Sequence, residues 1–193
     1  VVVVAQKREQ NLQDVPIAIT AFTGAQMDAL GVSESFDIAS FSPGVHISGN
    51  LAGQNTQFSI RGVTQNDFND IIEAPNAVYL DEGYIAVAQA QTFAVFDIDR
   101  VEILKGPQGT LFGRNSAAGA ISLVSNKPGD DNELRLGVAM GDEGQQRYEV
   151  VGNWAVSESF ALRLAYQHQE WEGMWEEVVT GDDAYQESDA VRL

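Results

Sequence analysis

A two-residue alternation of apolar and polar side chains in the last third of the chain constrains the fold more than any other feature. It runs through Leu134–Met140, resumes at Tyr148–Val156 and again at Phe160–His168. Successive side chains of a strand point to opposite faces, so each stretch predicts a strand with one apolar face. Long strands joined by tight turns are typical of a soluble sandwich or of a membrane barrel, and the aromatic residues near their ends favour the barrel. The alternative is an antiparallel sheet that packs its apolar side on the rest of the chain.

The acidic residues are unevenly distributed and indicate a domain boundary. Residues 1–129 carry a net charge of −6, whereas residues 130–193 carry −11 in half the length. Between them lies the turn-forming sequence Lys-Pro-Gly-Asp-Asp-Asn at 127–132. We therefore predict one domain at 1–129 and a second at 130–193.

The composition excludes several classes of function. A net charge of −17 over 193 residues argues against a nucleic-acid partner, because phosphate backbones require clustered Lys and Arg. The absence of cysteine removes disulfides, thiolate catalysis and Cys-ligated zinc, and isolated His46 and His168 do not favour a metal site. The longest apolar runs have about five residues, against ~20 for a membrane helix. No signal peptide is visible and the chain begins at Val1, so we expect it to be processed or cut from something longer.

The first domain is predicted to be a small α+β domain with a mixed sheet and short helices. Thr23 and Gln26 have the spacing of a capping box, which would begin a helix that ends at Gly31. Ser33 would cap a second helix, which ends before Pro43. The predicted strands are Pro16–Phe22, Val45–Ser48, Gln57–Arg61, Ala77–Leu80, Arg100–Leu104 and Ala120–Ser125.

Four segments of this domain carry a resemblance to a known family. They are Asp14–Phe22, Ser59–Val63, Asp99–Asn115 and Ala118–Ile121. In order and spacing they resemble the plug domain of TonB-dependent outer-membrane receptors, over nearly all of residues 5–128. The run Val-Glu-Ile-Leu-Lys-Gly-Pro-Gln-Gly-Thr-Leu-Phe-Gly at 101–113 is the most specific part. The resemblance implies a plug inside a 22-stranded barrel, of which residues 130–193 would supply the first three strands, an incomplete barrel.

The glycine-rich segment of the motif predicts backbone turns rather than nucleotide binding. A phosphate-binding loop needs a Lys after its second glycine, whereas Lys105 precedes the glycines here. Glycines instead permit tight turns and close packing, and a proline fixes the turn that contains it. The residues assigned this structural role are Gly62, Gly106, Pro107, Gly109, Gly113 and Gly119.

Arg61 and Lys105 are predicted to form a latch between plug and barrel. The resemblance implies that they pair with carboxylates lining the barrel interior, and Glu149 is the candidate partner. The family commonly has Arg where this chain has Lys105, and an ammonium cannot make the planar bidentate contact of a guanidinium. The alternative is that each cation satisfies local carbonyls or lies on the surface.

Two long loops, Thr64–Asn76 and Gly83–Thr92, are predicted to face the ligand, by similarity to the family's plug apices. Amides, carboxylates and an aromatic ring suit a polar ligand such as a siderophore or glycan, although any solvated loop has similar side chains. The predicted ligand-facing residues are Gln65, Asn66, Asp67, Phe68, Asn69, Asp70, Tyr84, Gln89 and Gln91. Asp67–Asp70 lacks the Gly and the distant Glu of a Ca²⁺ loop, so neither a metal nor a cofactor is predicted.

The N-terminal segment Val1–Ala5 is the candidate contact with the TonB protein. It contains Val1, Val2, Val3, Val4 and Ala5 and resembles the family's coupling segment in being β-branched and extended. It lacks the acidic residue that commonly precedes that segment and has Val4 where Thr is frequent. An ordinary edge strand is the alternative of equal weight.

The sequence as a whole predicts an outer-membrane transporter rather than an enzyme. The resemblance implies active uptake of a scarce nutrient, such as a siderophore-bound iron, driven through TonB and its inner-membrane motor complex. The plug would lie in the lumen of a barrel surrounded by outer-membrane lipid, with its N-terminus in the periplasm. The alternative is a stand-alone periplasmic binding or interaction module without transport. No nucleophile–base pair, paired-carboxylate site or metal cluster stands out, so no catalytic residue is predicted.

Overall fold

The computed structural model describes residues 2–4, 8, 10–50, 55–64, 73–142, 144–172 and 186–193. The chain divides into two compact units, 1–126 and 127–193. The strands of the first unit are β1 (Val2–Val3), β2 (Gln10–Asn11), β3 (Ala18–Thr23), β4 (Val45–Asn50), β5 (Asn55–Ile60), β6 (Asn76–Leu80), β7 (Gly83–Tyr84), β8 (Ile98–Lys105) and β9 (Gly119–Ser125), and its helices are α1 (Gly24–Leu30) and α2 (Gly109–Phe112). The second unit contains β10 (Glu133–Met140), β11 (Gln146–Ser157), β12 (Phe160–Trp171) and β13 (Gln186–Arg192). Among the described residues, no helix is long and apolar enough to cross a membrane.

A mixed five-stranded sheet forms the centre of the first unit, with the strand order β3-β8-β9-β6-β7. Strand β8 is antiparallel to both β3 and β9, whereas β6 and β9 are parallel. Side chains of β8 are buried in a continuous run from Val101 to Leu104, which is typical of a strand covered on both faces. The α+β class predicted from the sequence is confirmed.

Two separate apolar clusters cover the two faces of this sheet. The larger cluster joins Val101 and Ile103 to residues of α1 and of the β4–β5 hairpin. The smaller cluster joins Leu104 and Ala120 to Val3, which comes from the N-terminal segment. Neighbouring residues of β8 therefore pack against different parts of the chain.

The first helix has the ends that the sequence predicted. The Gln26 backbone N–H donates to Thr23 Oγ1 at 3.3 Å, and the Thr23 N–H donates to Gln26 Oε1 at 3.0 Å, which completes the capping box. Gly31 follows with a φ of 71°, a conformation in which glycine is favoured because it has no Cβ.

The second helix differs from the prediction. The chain forms only a 3₁₀ helix at Asp37–Phe41, and Ser33 does not cap it. Instead the Asp37 carboxylate accepts hydrogen bonds from the backbone N–H groups of Ser33 and Glu34 at 2.9 and 3.0 Å. The Asp37 carboxylate thus accepts hydrogen bonds from two backbone N–H groups and from the Ser33 hydroxyl. The chain adopts this local turn in place of a helix capped by Ser33.

The second unit is an open four-stranded antiparallel sheet in the order β10-β11-β12-β13. The sequence predicted three strands here and missed the fourth, because β13 carries polar residues on both faces and shows no alternation. One face presents exposed apolar side chains in register, since Leu136 lies opposite Val150, Val150 opposite Tyr166 and Tyr166 opposite Val191. This sheet is not a closed barrel.

The second unit begins at Lys127, within the turn-forming sequence at 127–132. The Asn153 side chain of β11 accepts a hydrogen bond from Gly129 N–H and donates to the carbonyls of Gly129 and Asp131, at 2.9, 2.9 and 2.6 Å. The connecting segment is therefore attached to the second sheet, and residues 127–129 belong to that unit.

Candidate functional site

A tight turn after β5 places Arg61 next to Lys105. Ile60 and Val63 exchange both of their backbone hydrogen bonds across Arg61 and Gly62, whose φ angles are 54° and 80°. Two consecutive positive φ values define the turn that fits a two-residue hairpin. Asn, Asp or Gly is usual at the first central position and Gly at the second, and here the first is occupied by an exposed arginine.

The turn at Pro43–Gly44 brings the two cations together. Gly44 O accepts the Arg61 backbone N–H at 2.8 Å, and Pro43 O accepts a hydrogen bond from Lys105 Nζ at 2.7 Å. Burial and the nearby Arg61 charge lower the pKa of the Lys105 ammonium. Within the described part of the chain, the Arg61 guanidinium makes no hydrogen bond or ion pair. Lys105 thus binds a local carbonyl, and among the described residues the Arg61 guanidinium has no polar partner.

Glu149, the candidate partner of these cations, has a partner within its own sheet. Arg135 Nη2 lies 2.9 Å from Glu149 Oε1, on the strand next to it. The pair occupies the polar face of β10 and β11, opposite the face with Leu136 and Val150. The predicted latch between Arg61, Lys105 and Glu149 stays a prediction.

The predicted structural glycines differ in whether their position needs a glycine and for what reason. Gly62, Gly106 and Gly113 have φ values of 80°, 122° and 83°, which side-chain-bearing residues rarely adopt. A Cβ on Gly119 would lie 2.4 Å from Leu104 O, so this position needs glycine for close packing. Gly109 does not fit the prediction, because it lies in α2 without a positive φ and a Cβ there would meet no atom within 4 Å.

Pro107 lies in the turn after Gly106, where the backbone needs no N–H donor. Gly106 N–H donates to Ala118 O, and Gln108 N–H donates to Ser116 O, on either side of Pro107. Proline has no N–H to donate, so its position between two bonded residues leaves no backbone donor unsatisfied. The segment thereby closes the connection between β8 and β9.

The predicted ligand-facing residues fall into three groups. The six from Gln65 to Asp70 lie outside the described residues. Tyr84 and Gln89 are exposed. Gln91 is 4% exposed, and its amide donates a hydrogen bond to Ile85 O at 3.2 Å within its own loop.

Tyr84 belongs to a polar–aromatic cluster that includes residues the sequence analysis did not single out. Its hydroxyl accepts a hydrogen bond from Asn115 Nδ2 at 2.7 Å, and its ring lies 5.6 Å from that of Tyr79. Tyr79 packs edge-on against Phe112 and donates its hydroxyl to the Phe112 carbonyl. Burial, followed by the neighbouring Tyr84, raises the pKa of Tyr79, so its hydroxyl remains a donor. The cluster joins a predicted ligand loop to the Leu-Phe-Gly-Arg-Asn part of the motif.

The candidate coupling segment is bound to the first unit. Val1 and Ala5 lie outside the described residues, and Val2–Val4 are described. β1 pairs antiparallel with β2, and the Val3 side chain is fully buried in the smaller apolar cluster. Val4 N–H donates to Glu102 Oε1 at 2.7 Å.

Sequence reasoning did not single out Glu102, although a signal for it was available. It lies between Val101 and Ile103 in the buried stretch 101–104, which is otherwise apolar, and a charged residue in such a stretch needs a buried partner. Glu102 is 2% exposed and binds Arg100 Nε at 2.8 Å.

A second unpredicted group lies on the second sheet. Ligand atoms of His168, Glu187 and Asp189 lie within 4.8 Å of one another. His168 Nδ1 lies 3.0 Å from Asp189 Oδ1, and its ring stacks on Tyr148. Both carboxylates are exposed and nothing further points to a ligand, so we assign no metal site to the group.

The family comparison matches most of the first unit. The family model described as the TonB-dependent receptor plug domain matches residues 11–120. The matched range contains the last residue of β2, the elements β3 to α2 and the first two residues of β9, including Arg61, Lys105 and Glu102.

The similar proteins and solved structures are named as receptors or transporters. The chain is 27% identical over 160 residues to the ferripyoverdine receptor of Pseudomonas aeruginosa, and 25% identical over 174 residues to the vitamin B12 transporter BtuB of Vibrio vulnificus. The alignments cover 82% and 90% of this chain but only 19% and 28% of those proteins. The structure of the ferric yersiniabactin uptake receptor FyuA from Yersinia pestis matches with a TM-score of 0.80 at 21% identity, over 91% of this chain and 27% of that one. At 21% identity, this structural match shows a shared fold alone.

Proposed function

The chain belongs to the TonB-dependent receptor plug-domain family, and on this premise we propose that it supplies the gating plug and part of the barrel of an outer-membrane receptor. The receptor takes up a scarce nutrient by TonB-dependent active transport. A ferric siderophore, or a polar ligand of similar size, is the proposed cargo, since the related proteins are named for ferripyoverdine, ferrioxamine B and vitamin B12. No catalytic step is part of this function.

The single observation that carries the proposal is the sheet that follows the plug. Its exposed face presents Leu134, Leu136, Val138 and Met140 on one strand, each at least 64% exposed. Large apolar side chains rarely form such a continuous exposed face on a soluble monomer. A lipid-facing wall of alternating strands has this pattern, with polar residues on the other face.

We propose a mechanism in which the plug responds to ligand from one side and to TonB from the other. Tyr84, Gln89 and the loop at 65–70 contact the ligand, and Asn115 supports Tyr84 through its hydrogen bond. Val1–Ala5 is the segment to which TonB adds a strand. Force transmitted from the inner-membrane motor complex then rearranges the plug and opens a path through the barrel.

We propose that Arg61 and Lys105 are the plug cations of a latch to barrel carboxylates, with Glu149 among them. The free guanidinium of Arg61 supports this role, because an exposed cation next to a second cation gains most from an external carboxylate. In the complete receptor, Arg61→Ala should reduce uptake and expose the plug to protease. Unchanged uptake together with unchanged protease resistance would remove Arg61 from the latch.

Uptake in living cells tests the transport function. The complete reading frame is deleted, and accumulation of iron-55 on a panel of ferric siderophores, and of labelled cobalamin, is measured with and without a working TonB. We expect one ligand to lose its uptake in the deletion strain and in the TonB-deficient strain, with recovery when the gene is supplied on a plasmid. Normal uptake of every ligand in the deletion strain contradicts the proposal.

Membrane location separates the receptor from a stand-alone periplasmic module. Leu136→Arg places a charge on the proposed lipid face, at a cost of roughly 2–4 kcal/mol near the membrane midplane. We expect this variant to be depleted from the outer membrane, whereas Arg147→Leu, on the polar face, is not. Recovery of the unaltered protein in the soluble periplasmic fraction supports the module instead.

A further inference from the structure

We infer that Glu102 is the residue that holds the N-terminal segment Val2–Val4 on the plug and controls its release. The inference rests on the proposed function in one respect, namely that this segment is the one that TonB engages. Glu102 is then a positioning residue for energy coupling: it contacts neither ligand nor TonB, and it sets how often the segment is available.

The hold on the segment combines one polar and one apolar contact. Glu102 Oε1 accepts the Val4 backbone N–H at 2.7 Å, although the two residues are 98 positions apart. Beside it, the fully buried Val3 side chain packs with Leu104 and Ala120, on the same face of the sheet. A hydrogen bond to a charged acceptor is stronger than a neutral one, so the carboxylate makes a firmer attachment than an amide would.

The attached segment has little backbone available to a partner strand. It pairs with β2 through Val2 and Val3, which lie opposite Asn11 and Gln10. The Val4 N–H is bonded to the Glu102 carboxylate. Strand addition requires unpaired N–H and C=O groups along an edge. A partner can therefore use the Val4 N–H only after Glu102 has released it.

Arg100 makes this release reversible. Its guanidinium binds Glu102 Oε1 at 2.8 Å and also binds Asp99. Burial alone would lower the pKa of Arg100, but the hydrogen bonds to Glu102 and Asp99 raise it, so the cation persists. When Val4 leaves, Glu102 keeps a charged partner and no buried carboxylate is left uncompensated. The segment can thus detach while the rest of the sheet stays intact.

The accessibility of a cysteine at position 3 measures the release directly. The chain contains no cysteine, so Val3→Cys introduces a single buried thiol into a complete receptor whose remaining residues are also free of cysteine. Maleimide labelling of this thiol in outer-membrane vesicles, without ligand, reports how often the segment opens. Glu102→Leu should increase the labelling rate about ten-fold or more, because a hydrogen bond to a charged group is lost. Glu102→Gln keeps an acceptor oxygen and should give a smaller increase.

Two controls separate a specific hold from general destabilisation. Val45→Cys reports from the larger cluster on the opposite face of the sheet, where the side chain is 3% exposed, and its labelling should not change with Glu102→Leu. Glu73→Leu removes another carboxylate of an ion pair in the same unit, with Arg114, and should leave the thiol at position 3 unaffected. The inference is overturned if labelling at position 3 is unchanged, or rises no more than labelling at position 45.

A binding measurement distinguishes failure of this inference from failure of the proposed function. The complete receptor with native Val3 and Glu102→Leu is captured on the purified C-terminal domain of TonB without ligand. We expect several-fold more capture than for the unaltered receptor. Faster labelling without more capture leaves the role of Glu102 intact and removes Val1–Ala5 as the TonB contact. Unchanged labelling overturns the role of Glu102, whatever the uptake experiments show.

Discussion

At the scale of single residues, the plug contains two pairs of like-charged side chains in which one charge shifts the pKa of its neighbour. Arg61 and Lys105 lie on either side of the Pro43–Gly44 turn, and the Arg61 charge contributes to the lowered pKa of Lys105. Glu34 and Asp37 form a corresponding acidic pair. In each pair, the charge of one member contributes to the shifted pKa of the other.

Replacing Arg61 by Gln should raise the pKa of Lys105 towards its usual value. Burial is the larger cause of the lowered pKa and remains in the variant, so the recovery is partial. Amines react with acylating reagents in the uncharged form, so Lys105 should be acylated more slowly in the variant at the same pH. Mass spectrometry of Lys105 acylation against pH measures this, and Arg114→Gln, which removes a cation paired with Glu73, serves as the control. Equal acylation profiles in all three proteins would show that Arg61 does not act on Lys105.

Replacing Glu34 by Gln should stabilise the segment around it at neutral pH. Burial, followed by the charge of Asp37, raises the pKa of Glu34 above 4.5, so its ionised form is disfavoured in the folded state. The resulting penalty is fully present above the raised pKa and disappears as pH falls below 4.5. The variant should therefore exceed the native protein in stability at pH 7 and match it near pH 4. Amide hydrogen exchange at positions 33–37 measures the local opening free energy.

Asp37 provides a comparison of opposite sign. Its carboxylate accepts from the N–H groups of Ser33 and Glu34 and from the Ser33 hydroxyl, so Asp37→Asn should destabilise the same segment. A loss of protection in both Glu34→Gln and Asp37→Asn at pH 7 would contradict the assigned role of Glu34.

At the scale of the elements, β8 links the larger apolar cluster to the N-terminal segment, because each of its faces packs against a different part of the chain. One face holds the core with Val101 and Ile103, and the other presents Glu102 and Leu104 to the N-terminal segment. The strand next to it, β9, comes close enough for Gly119 to pack against Leu104 O and Ile60. Gly119 thus brings β9 close both to β8 and to Ile60, the residue before Arg61.

Gly119→Ala should destabilise the plug by about 2 kcal/mol, the middle of the usual range for overpacking a core. The new Cβ would lie 2.4 Å from Leu104 O, a backbone atom of the neighbouring strand that cannot move without breaking the ladder. Gly109→Ala is the matched control, because a Cβ there meets nothing within 4 Å and alanine favours a helix. Calorimetric unfolding of the complete receptor should show a lowered plug transition only for Gly119→Ala. Equal shifts for both variants would show that backbone freedom, not contact, is what matters.

At the scale of the whole molecule, two units of different character are joined by a connector. The first is a closed α+β core with buried polar contacts, and the second is an open sheet with an exposed apolar face. Asn153 attaches the connector to the second sheet through three hydrogen bonds.

Asn153→Ala should free this connector. Loss of three partly buried hydrogen bonds, each worth ~1 kcal/mol, should increase local opening ten-fold or more. A protease that cleaves before aspartate reports the opening, since Asp130 and Asp131 lie in the connector. Gln169→Ala on the neighbouring strand should leave the cleavage rate as it is. Equal cleavage of native protein and Asn153→Ala would show that other contacts hold the segment.

The sequence by itself determined the features that depend on residues close together along the chain. The capping box of α1, the alternation at 134–169 and six strands of the first unit (β3–β6, β8 and β9) are local patterns, and the family motifs at 59–63 and 99–115 are contiguous. Strand β13 escaped prediction because its residues are polar on both faces, and it is recognised only by its pairing with β12. Gln91 was assigned to a ligand from its loop position, whereas its amide is turned inward to Ile85.

Only the tertiary structure decided the contacts between distant segments. Glu102 meets Val4 across 98 residues, and Lys105 meets Pro43 across 62. A sequence pattern records which side chains are apolar and how often, but not which distant donor fills a buried acceptor, because that depends on how the strands are ordered in the sheet. The alternation that first constrained the fold indicates a strand with an apolar face. The structure shows that this face stays exposed in the second unit, while in the first the N-terminal segment covers the face that carries Glu102.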